Sequence, residues 1–429
     1  MNDRPRAARP PSLWLDPAPD PGPPLEGAIE ADAVVIGAGY TGLWTALGLR
    51  ERGADVVVLE RDYAGFGASG RNAGHLTPTI GKDLPTLAMV FGKERARELV
   101  AIAESAVAYT ESLIERHRID CHYEPVGNIF AAVHERQFDA IDRAARAAEE
   151  LGAHGMLLEP DDMRQRGLPR AFVRGFLETS GGILNPARYV RGLRRAALDR
   201  GVQLFERSPV TAVDGNVVST ENGRLRARRL VVATNAYTPL LALPVPDVAR
   251  IGVQLFETEP VEIEWSERQG IYTAHEILES YRLTHDNRIV GGSKFIRYGY
   301  GKRPIADVDA GVAQRMDELF RLRFPELART RIARHWGGTI AFALDFLPCV
   351  GRSASELFYA IGYAGHGVAL ATFAGQLVAD LMEGRDSVLS TMRRVPLPPE
   401  PLRWLVARAL IGVFEGMDRR VDLALAARQ

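Results

Sequence analysis

ADAVVIGAGYTGLWTALGLRERGADVVVLER, residues 31–61, decides the fold. A β-branched run, Val34 to Ile36, leads into Gly37-Ala38-Gly39-Tyr40-Thr41-Gly42; a helical pattern follows, and a second apolar run, Val56 to Leu59, ends in Glu60 and Arg61. This order is a βαβ unit. The first glycine permits the tight turn, the second lets a pyrophosphate approach the backbone where the helix begins, and the third lets helix and strand pack closely. An acid closing the second strand accepts hydrogen bonds from an adenosine ribose. Three glycines at that spacing are weak evidence alone, because a glycine-rich turn in a parallel sheet needs no ligand. Strand, glycines, helix, strand and acid in register are specific for a dinucleotide. They do not separate NAD from FAD, which are held alike here.

A second passage, GFGASGRNAGHLTP at residues 65–78, narrows the choice. A nicotinamide-type domain runs from the acid into its next helix, whereas this chain supplies small residues and three polar ones, Arg71, Asn72 and His75. Glycines without a Cβ let backbone N–H groups turn toward an anion or a ring edge. Ser69 and Arg71 complete such a cradle with a hydroxyl and a fixed positive fork. A plain surface loop is the alternative.

Composition excludes several classes. With 53 basic against 54 acidic side chains there is no net field for nucleic acid or an anionic membrane. Only Cys121 and Cys349 are present, in no CxxC pair, so neither a disulfide framework nor a cysteine metal site is expected, and a cytoplasmic location fits. No metal-ligand spacing appears. A chain of 429 residues exceeds one small core, so two domains or one large insertion are expected. Residues 1–30 are proline-rich and lack the apolar run of a secretory signal or a membrane span; they read as an extended arm docked through Trp14 and Leu15.

Five segments then occur in a family's order: GAGYTGL with Glu60, GASGRNAGH, LVVATNAYTP (230–239), WGGTIAFALDFLPCVG (336–351) and GYAGHGVALATFAGQLVADLM (362–382). Together they resemble the D-amino-acid oxidase and glycine oxidase superfamily of FAD enzymes, most closely its γ-glutamylputrescine oxidoreductase branch. The resemblance implies an α/β fold: a Rossmann-like FAD-binding domain of the glutathione-reductase type, with an inserted α+β substrate domain on a mostly antiparallel sheet. Its expected division is an arm over 1–30, FAD-binding segments over 31–85, 155–240 and 330–390, substrate-domain segments over 86–154 and 241–329, and an amphipathic helical tail over 391–429. It implies FAD contacts at Gly37, Gly39, Tyr40, Thr41, Gly42, Glu60 and Arg61, and at Gly67, Ala68, Ser69, Arg71, Asn72, Gly74, His75 and Leu76. It implies others at Val210, Ala233, Thr234, Asn235, Trp336, Gly338, Gly365, His366, Gly367 and Val368. The expected chemistry is hydride transfer from an amine carbon to flavin N5, giving an imine that water hydrolyses, with no obligatory base. His366, Lys294 and Tyr281 are the weak catalytic candidates.

Departures from the family bear on the substrate. Relatives that grip a carboxylate place an arginine before the FLPCVG-like segment or a lysine after the GHG turn; here those neighbourhoods read Trp336-Gly337-Gly338-Thr339 and Gly365-His366-Gly367-Val368-Ala369. Neither offers a cation. An amine or polyamine derivative is therefore expected over a simple α-amino acid, with Arg282 or Arg297 as the residues that reverse this if either reaches the pocket. Glu257, Glu259, Glu262 and Glu264 share one strand face if that segment stays regular, either as a diamine-attracting surface or as a solvated face. Cys349 follows the proline of its segment, so non-covalent FAD is expected. Three readings stay open: an oxidase returning electrons to oxygen as peroxide, a dehydrogenase feeding another acceptor, and a flavoprotein that only binds. Leu402, Leu405, Val406, Leu410, Val413, Phe414 and Met417 make one helical stripe near Arg403 and Arg408, for packing on the protein itself, on another subunit or at a membrane surface. An oligomer is left open.

Overall fold

The computed structural model describes residues 12–15 and 20–427. The quoted stretch forms the centre of the first sheet. Gly27–Ile36 lies parallel to Gly223–Val232 on one side and to Val56–Leu59 on the other, and the order continues outward to Gln203–Phe205 at one edge and to Leu357–Ile361 and Cys349–Arg352 at the other. Val34, Val35, Val56, Val57 and Val58 are fully buried, as a parallel sheet covered on both faces requires. The Tyr40–Glu51 helix joins Gly27–Ile36 to Val56–Leu59, and the Gly367–Met382 helix packs on it. A Cβ at Gly375 would lie 2.9 Å from the Thr45 amide, so this position sets how closely the two helices approach.

The second sheet is built mainly from antiparallel strands in the order Arg297–Gly299, Ala249–Pro260, Arg288–Gly292, Ser280–Leu283, Gly270–Thr273, Asn128–Ala132, Arg174–Glu178, Gly155–Leu158, with Ile332–Phe342 paired along Ala249–Pro260. Its single parallel pairing joins Gly270–Thr273 to Asn128–Ala132. Three strands that the sequence reading puts with the FAD-binding segments, Gly155–Leu158, Arg174–Glu178 and Ile332–Phe342, hydrogen-bond in this sheet instead. Chain order misleads there because each strand's sheet is set by pairing partners distant in sequence, which leave no change of composition where the chain passes from one sheet to the other. One face of the second sheet closes an aromatic core of Phe256, Tyr281, Phe320 and Phe324 beneath the Ala310–Arg323 helix.

The acidic strand is not the expected face. Ala249–Pro260 ends before Glu262 and Glu264, and its pairing shifts at Glu257. Glu257 is buried, while Glu259 is half-buried and paired with Arg331. A strict period of two would already place residues 257 and 259 opposite 262 and 264.

The arm docks where Trp14 and Leu15 are buried: the Trp14 indole N–H donates to the Asn72 carbonyl at 3.0 Å and its ring meets Trp336 edge-on at 6.2 Å. At the other end, Leu402–Ala426 is one 25-residue helix. No helix among the described residues is long and apolar enough to cross a membrane.

Candidate functional site

Ile36, Leu59 and Ala233 sit at the carboxyl ends of three adjacent parallel strands, and a cavity of about 380 Å³ opens beyond them. Ligands bind at this place in open α/β sheets, where neighbouring loops diverge. Thr339, Ile340 and Ala341 bring the second sheet to the same cavity, and Tyr363, Ala364, Gly365, Gly367 and Val368 reach it from the start of the Gly367–Met382 helix and the loop before it, whereas His366 is not part of the wall.

The glycine turn is built for close approach. Gly37 holds φ at +105°, and a Cβ on Gly42 would sit 1.8 Å from the Gly37 carbonyl oxygen. No larger residue fits either role. The turn delivers the chain into the Tyr40–Glu51 helix, whose first-turn N–H groups have no intrahelical acceptor. Ser69 Oγ accepts one of them, from Tyr40 at 3.0 Å. The amides of Thr41 and Gly42 follow it at the positive end of the helix dipole, which suits a phosphate.

Glu60, expected at a ribose, has a second task within the chain. Its two carboxylate oxygens accept N–H groups from Ala38 at 2.8 Å and Asp62 at 3.1 Å, so the acid of the second strand also braces the glycine turn of the first. Desolvation raises its pKa above the ordinary carboxyl value, and the two amide donors pull the other way.

The second glycine-rich segment divides in two. Gly65 to Ser69 and Asn72 line the cavity; the Asn72 side chain donates to Ala68 and Ser69 carbonyls and accepts the Gly74 amide at 2.9 Å, which fixes the loop's curl. Arg71 does not line it. Its guanidinium is buried, donates to the carbonyls of Phe66 at 2.7 Å and Gly337 at 3.1 Å, and pairs with Asp307, while Trp336 donates its indole N–H to the Arg71 carbonyl at 2.8 Å. The expected anion fork is instead a bolt between the glycine-rich loop and the second sheet, because its donors are already taken. Trp336 and Gly338 belong to that bolt and also lie outside the lining.

Gly74, His75 and Leu76 lie beyond the walls too. His75 Nδ1 bonds to Asn128 Oδ1 at 2.8 Å. Asn128 donates its amide to the Leu76 and Gly182 carbonyls, so its oxygen must accept and Nδ1 of His75 carries the proton. Burial pushes the His75 pKa down to about 4, with the hydrogen bond to Asn128 opposing it.

Val210, Ala233, Thr234, Asn235, Gly365, Gly367 and Val368 all line the cavity, as do Gly37, Gly39, Tyr40, Thr41, Glu60 and Arg61; Gly42 packs behind them. Asn235 Oδ1 accepts the Gly362 amide at 2.9 Å, tying the end of the central strand to the GYAGHG loop. Sequence reasoning passed over Tyr237 and Tyr363, although both stand inside segments it quoted. The Arg61 guanidinium lies 5.0 Å over the Tyr237 ring, and the Tyr363 hydroxyl shares a hydrogen bond with Thr41 at 2.6 Å.

The weak catalytic candidates separate. His366 caps the Gly367–Met382 helix beside the cavity with Nδ1 bonded to Thr79 at 2.9 Å, and burial lowers its pKa to about 4. Lys294 and Tyr281 do not line the cavity. Lys294 is buried in an ion pair with Asp418 at 2.9 Å, and the Tyr281 hydroxyl donates to Glu279 at 2.9 Å within the second sheet's core. Arg297 is likewise held away, by Asp309 and by the Ala306 carbonyl. Arg282 is buried 5.0 Å over the Trp14 ring and is not a wall of the cavity. Among the described residues of the wall, Arg61 is the single cation, next to Glu60 at the end of its strand.

A divided glycine cradle, a helix N-terminus and a carboxylate at the second strand suit a dinucleotide that also needs a second glycine loop, which is the demand of FAD. Comparison with known proteins agrees. Gamma-glutamylputrescine oxidoreductase of Escherichia coli (strain K12) is 31% identical over 88% of this chain and 89% of its own length. The probable oxidoreductase OrdL of Haemophilus influenzae is 30% identical, covering 88% of each. Among solved structures, glycine oxidase from Geobacillus kaustophilus superposes with a TM-score of 0.74 at 21% identity, covering 85% of this chain and 99% of that one. L-proline dehydrogenase from P. horikoshii gives 0.72 at 19%, covering 85% and 96%. The fold is theirs, and residues 32–381 match the family described as DAO, FAD dependent oxidoreductase. The chain belongs to this family of FAD-dependent oxidoreductases.

Proposed function

We propose that the protein oxidises the C–N bond of an amine, a γ-glutamylputrescine-like compound or another amine, to an imine, with oxygen as the electron acceptor and hydrogen peroxide as product. The observation that carries the substrate class is the charge of the cavity wall. Its side toward the second sheet and the GYAGHG loop is lined by Thr339, Ile340, Ala341, Tyr363 and Gly365, without a cation. A carboxylate taken from water into such a site loses several kcal/mol of hydration, of order the penalty for an unpaired buried ion. The names of the E. coli relative and of glycine oxidase bracket the choice between a polyamine derivative and a small amino acid.

FAD supplies a two-electron sink when bound. The chain's contribution is to hold it and to exclude water. In this reading the amides of the Gly37–Gly42 turn and the Gly65–Ser69 loop meet its phosphates, Glu60 a ribose, Val210 the adenine, and the Gly365–Val368 helix start the flavin ring. The first sheet then binds the cofactor and the second receives substrate. No cysteine lines the cavity, which supports non-covalent FAD, and two unpaired cysteines suit a cytoplasmic location. His366, neutral at working pH, positions Thr79 rather than exchanging protons.

Anaerobic stopped-flow reduction tests the proposal. Putrescine-like amines or their γ-glutamyl conjugates should reduce the flavin faster than glycine, sarcosine or D-alanine, and the opposite order would overturn the substrate class. Steady-state turnover with oxygen alone separates the oxidase from the alternative, a dehydrogenase passing electrons to another acceptor.

A further inference from the structure

The Leu402–Ala426 helix is held by its acids. Asp418 is buried, pairs with Lys294 at 2.9 Å and accepts the backbone N–H groups of Glu276 at 2.8 Å and Ile277 at 3.1 Å. One turn on, Asp422 meets Arg323 and lies 3.4 Å from His275. Glu415, the remaining acid, pairs with Arg315 at 3.7 Å. The helix is therefore fixed in orientation by ionic contacts on its inner side.

What it turns outward is of one kind. Leu405, Leu410, Val413 and Met417 are each about half exposed, from 46% to 58%. Every charged residue of the helix that is exposed is an arginine: Arg408, stacked on Trp404 at 5.1 Å, then Arg419 and Arg420. We propose that this face seats the protein on an anionic lipid surface, the helix lying in the plane of the headgroups.

Two arguments select lipid over a second copy. A two-fold interface presents the same patch from both sides. Here that patch carries arginines and no free acid, so two copies would face like charge with like. An anionic bilayer supplies both the apolar layer and the negative charge, and cationic amphipathic helices too polar to span lie on it in this way. The seat is also linked to a loop that reaches the edge of the cavity. Phe414 lies under the Lys82 ammonium at 5.2 Å, Lys82 pairs with Glu276, and Thr79 of the same loop bonds His366 at the cavity's rim.

Vesicle flotation of the full-length FAD-loaded protein tests this. The protein should float with vesicles of phosphatidylglycerol and phosphatidylcholine, remain behind with phosphatidylcholine alone, and dissociate as salt is raised. Arg419→Gln with Arg420→Gln should weaken partitioning by about 25-fold, about fivefold for each charge near the surface. Leu410→Ser with Val413→Ser should abolish it. Both variants should keep the flavin spectrum and turnover in lipid-free buffer, which shows that they fold. Absence of flotation with anionic vesicles would overturn the proposal. So would equal binding to both lipids, or a wild-type dimer by light scattering that Val413→Ser converts to monomer without any change in flotation.

Discussion

Glu60 accepts the Ala38 amide with one oxygen and the Asp62 amide with the other, so it braces the glycine turn, and in the proposed reading it also meets the cofactor's ribose. Glutamine keeps one acceptor oxygen and replaces the second with a donor. Glu60→Gln should therefore weaken FAD binding by at least tenfold, since a hydrogen bond to a charged acceptor contributes about 1.5–3 kcal/mol. Fluorescence titration of the apo-protein with FAD measures this, and an unchanged Kd in a folded variant contradicts the role. Glu178 makes a separate prediction. Burial raises its pKa to about 7, while the Tyr272 hydroxyl, donating at 2.6 Å, pulls it down. A raised carboxyl contributes stability that is full below the unfolded carboxyl range and is lost as pH climbs through about 7. Between about pH 5 and about pH 8.5 the wild type should therefore lose up to about 3 kcal/mol against Glu178→Gln. Thermal unfolding of both proteins across that range reads the difference, and a constant gap would show that Glu178 does not titrate there.

At the scale of elements, the βαβ unit was legible because each of its parts obeys a local rule: β-branched strands, glycines where a Cβ collides, an acid at the strand end. Gly42→Ala forces a Cβ onto the Gly37 carbonyl at 1.8 Å, so the helix must shift off its strand. It should cost over about 3 kcal/mol, at the upper end of overpacking, and abolish FAD retention in size-exclusion chromatography. A yellow, normally stable Gly42→Ala protein would refute that packing role. The second sheet was less legible. The Lys93–Arg116 helix buries residues at helical spacing and the Ser280–Leu283 and Arg288–Gly292 strands reverse through Asp286-Asn287, both by local rules of periodicity and turn chemistry. Which sheet Ile332–Phe342 joins is decided by ten residue pairings with Ala249–Pro260, and pairing partners far apart in sequence leave no local mark. Arg71 fails for the same reason. Its composition suits an anion fork, but the Gly337 carbonyl and Asp307 that occupy it arrive from over 230 residues away.

For the whole molecule, the decisive joint is the one among arm, glycine loop and second sheet. Ser12 donates to the Gly70 carbonyl at 2.7 Å, Trp14 to the Asn72 carbonyl, and Leu15 fills the space a Cβ on Gly70 would need. The Trp14 ring also carries Arg282 above it and Trp336 at its edge, both from the second sheet. Trp14→Ala thus removes two contacts to the second sheet and the backing of a loop that lines the cavity. Its stability loss should be about 3–5 kcal/mol, as for other buried tryptophans. A loss of packing alone would stop there, whereas a loosened loop must also weaken FAD. The comparison is Trp265→Ala, in the second sheet's aromatic core, which should destabilise comparably and leave the FAD Kd unchanged. Excess FAD should then restore part of the Trp14→Ala melting temperature, because ligand at about 100 times Kd adds about 2.7 kcal/mol. Equal FAD affinities in the two variants would reduce the arm to a surface strap, with the curl of the Gly65–Gly74 loop set by Asn72 and Arg71 alone.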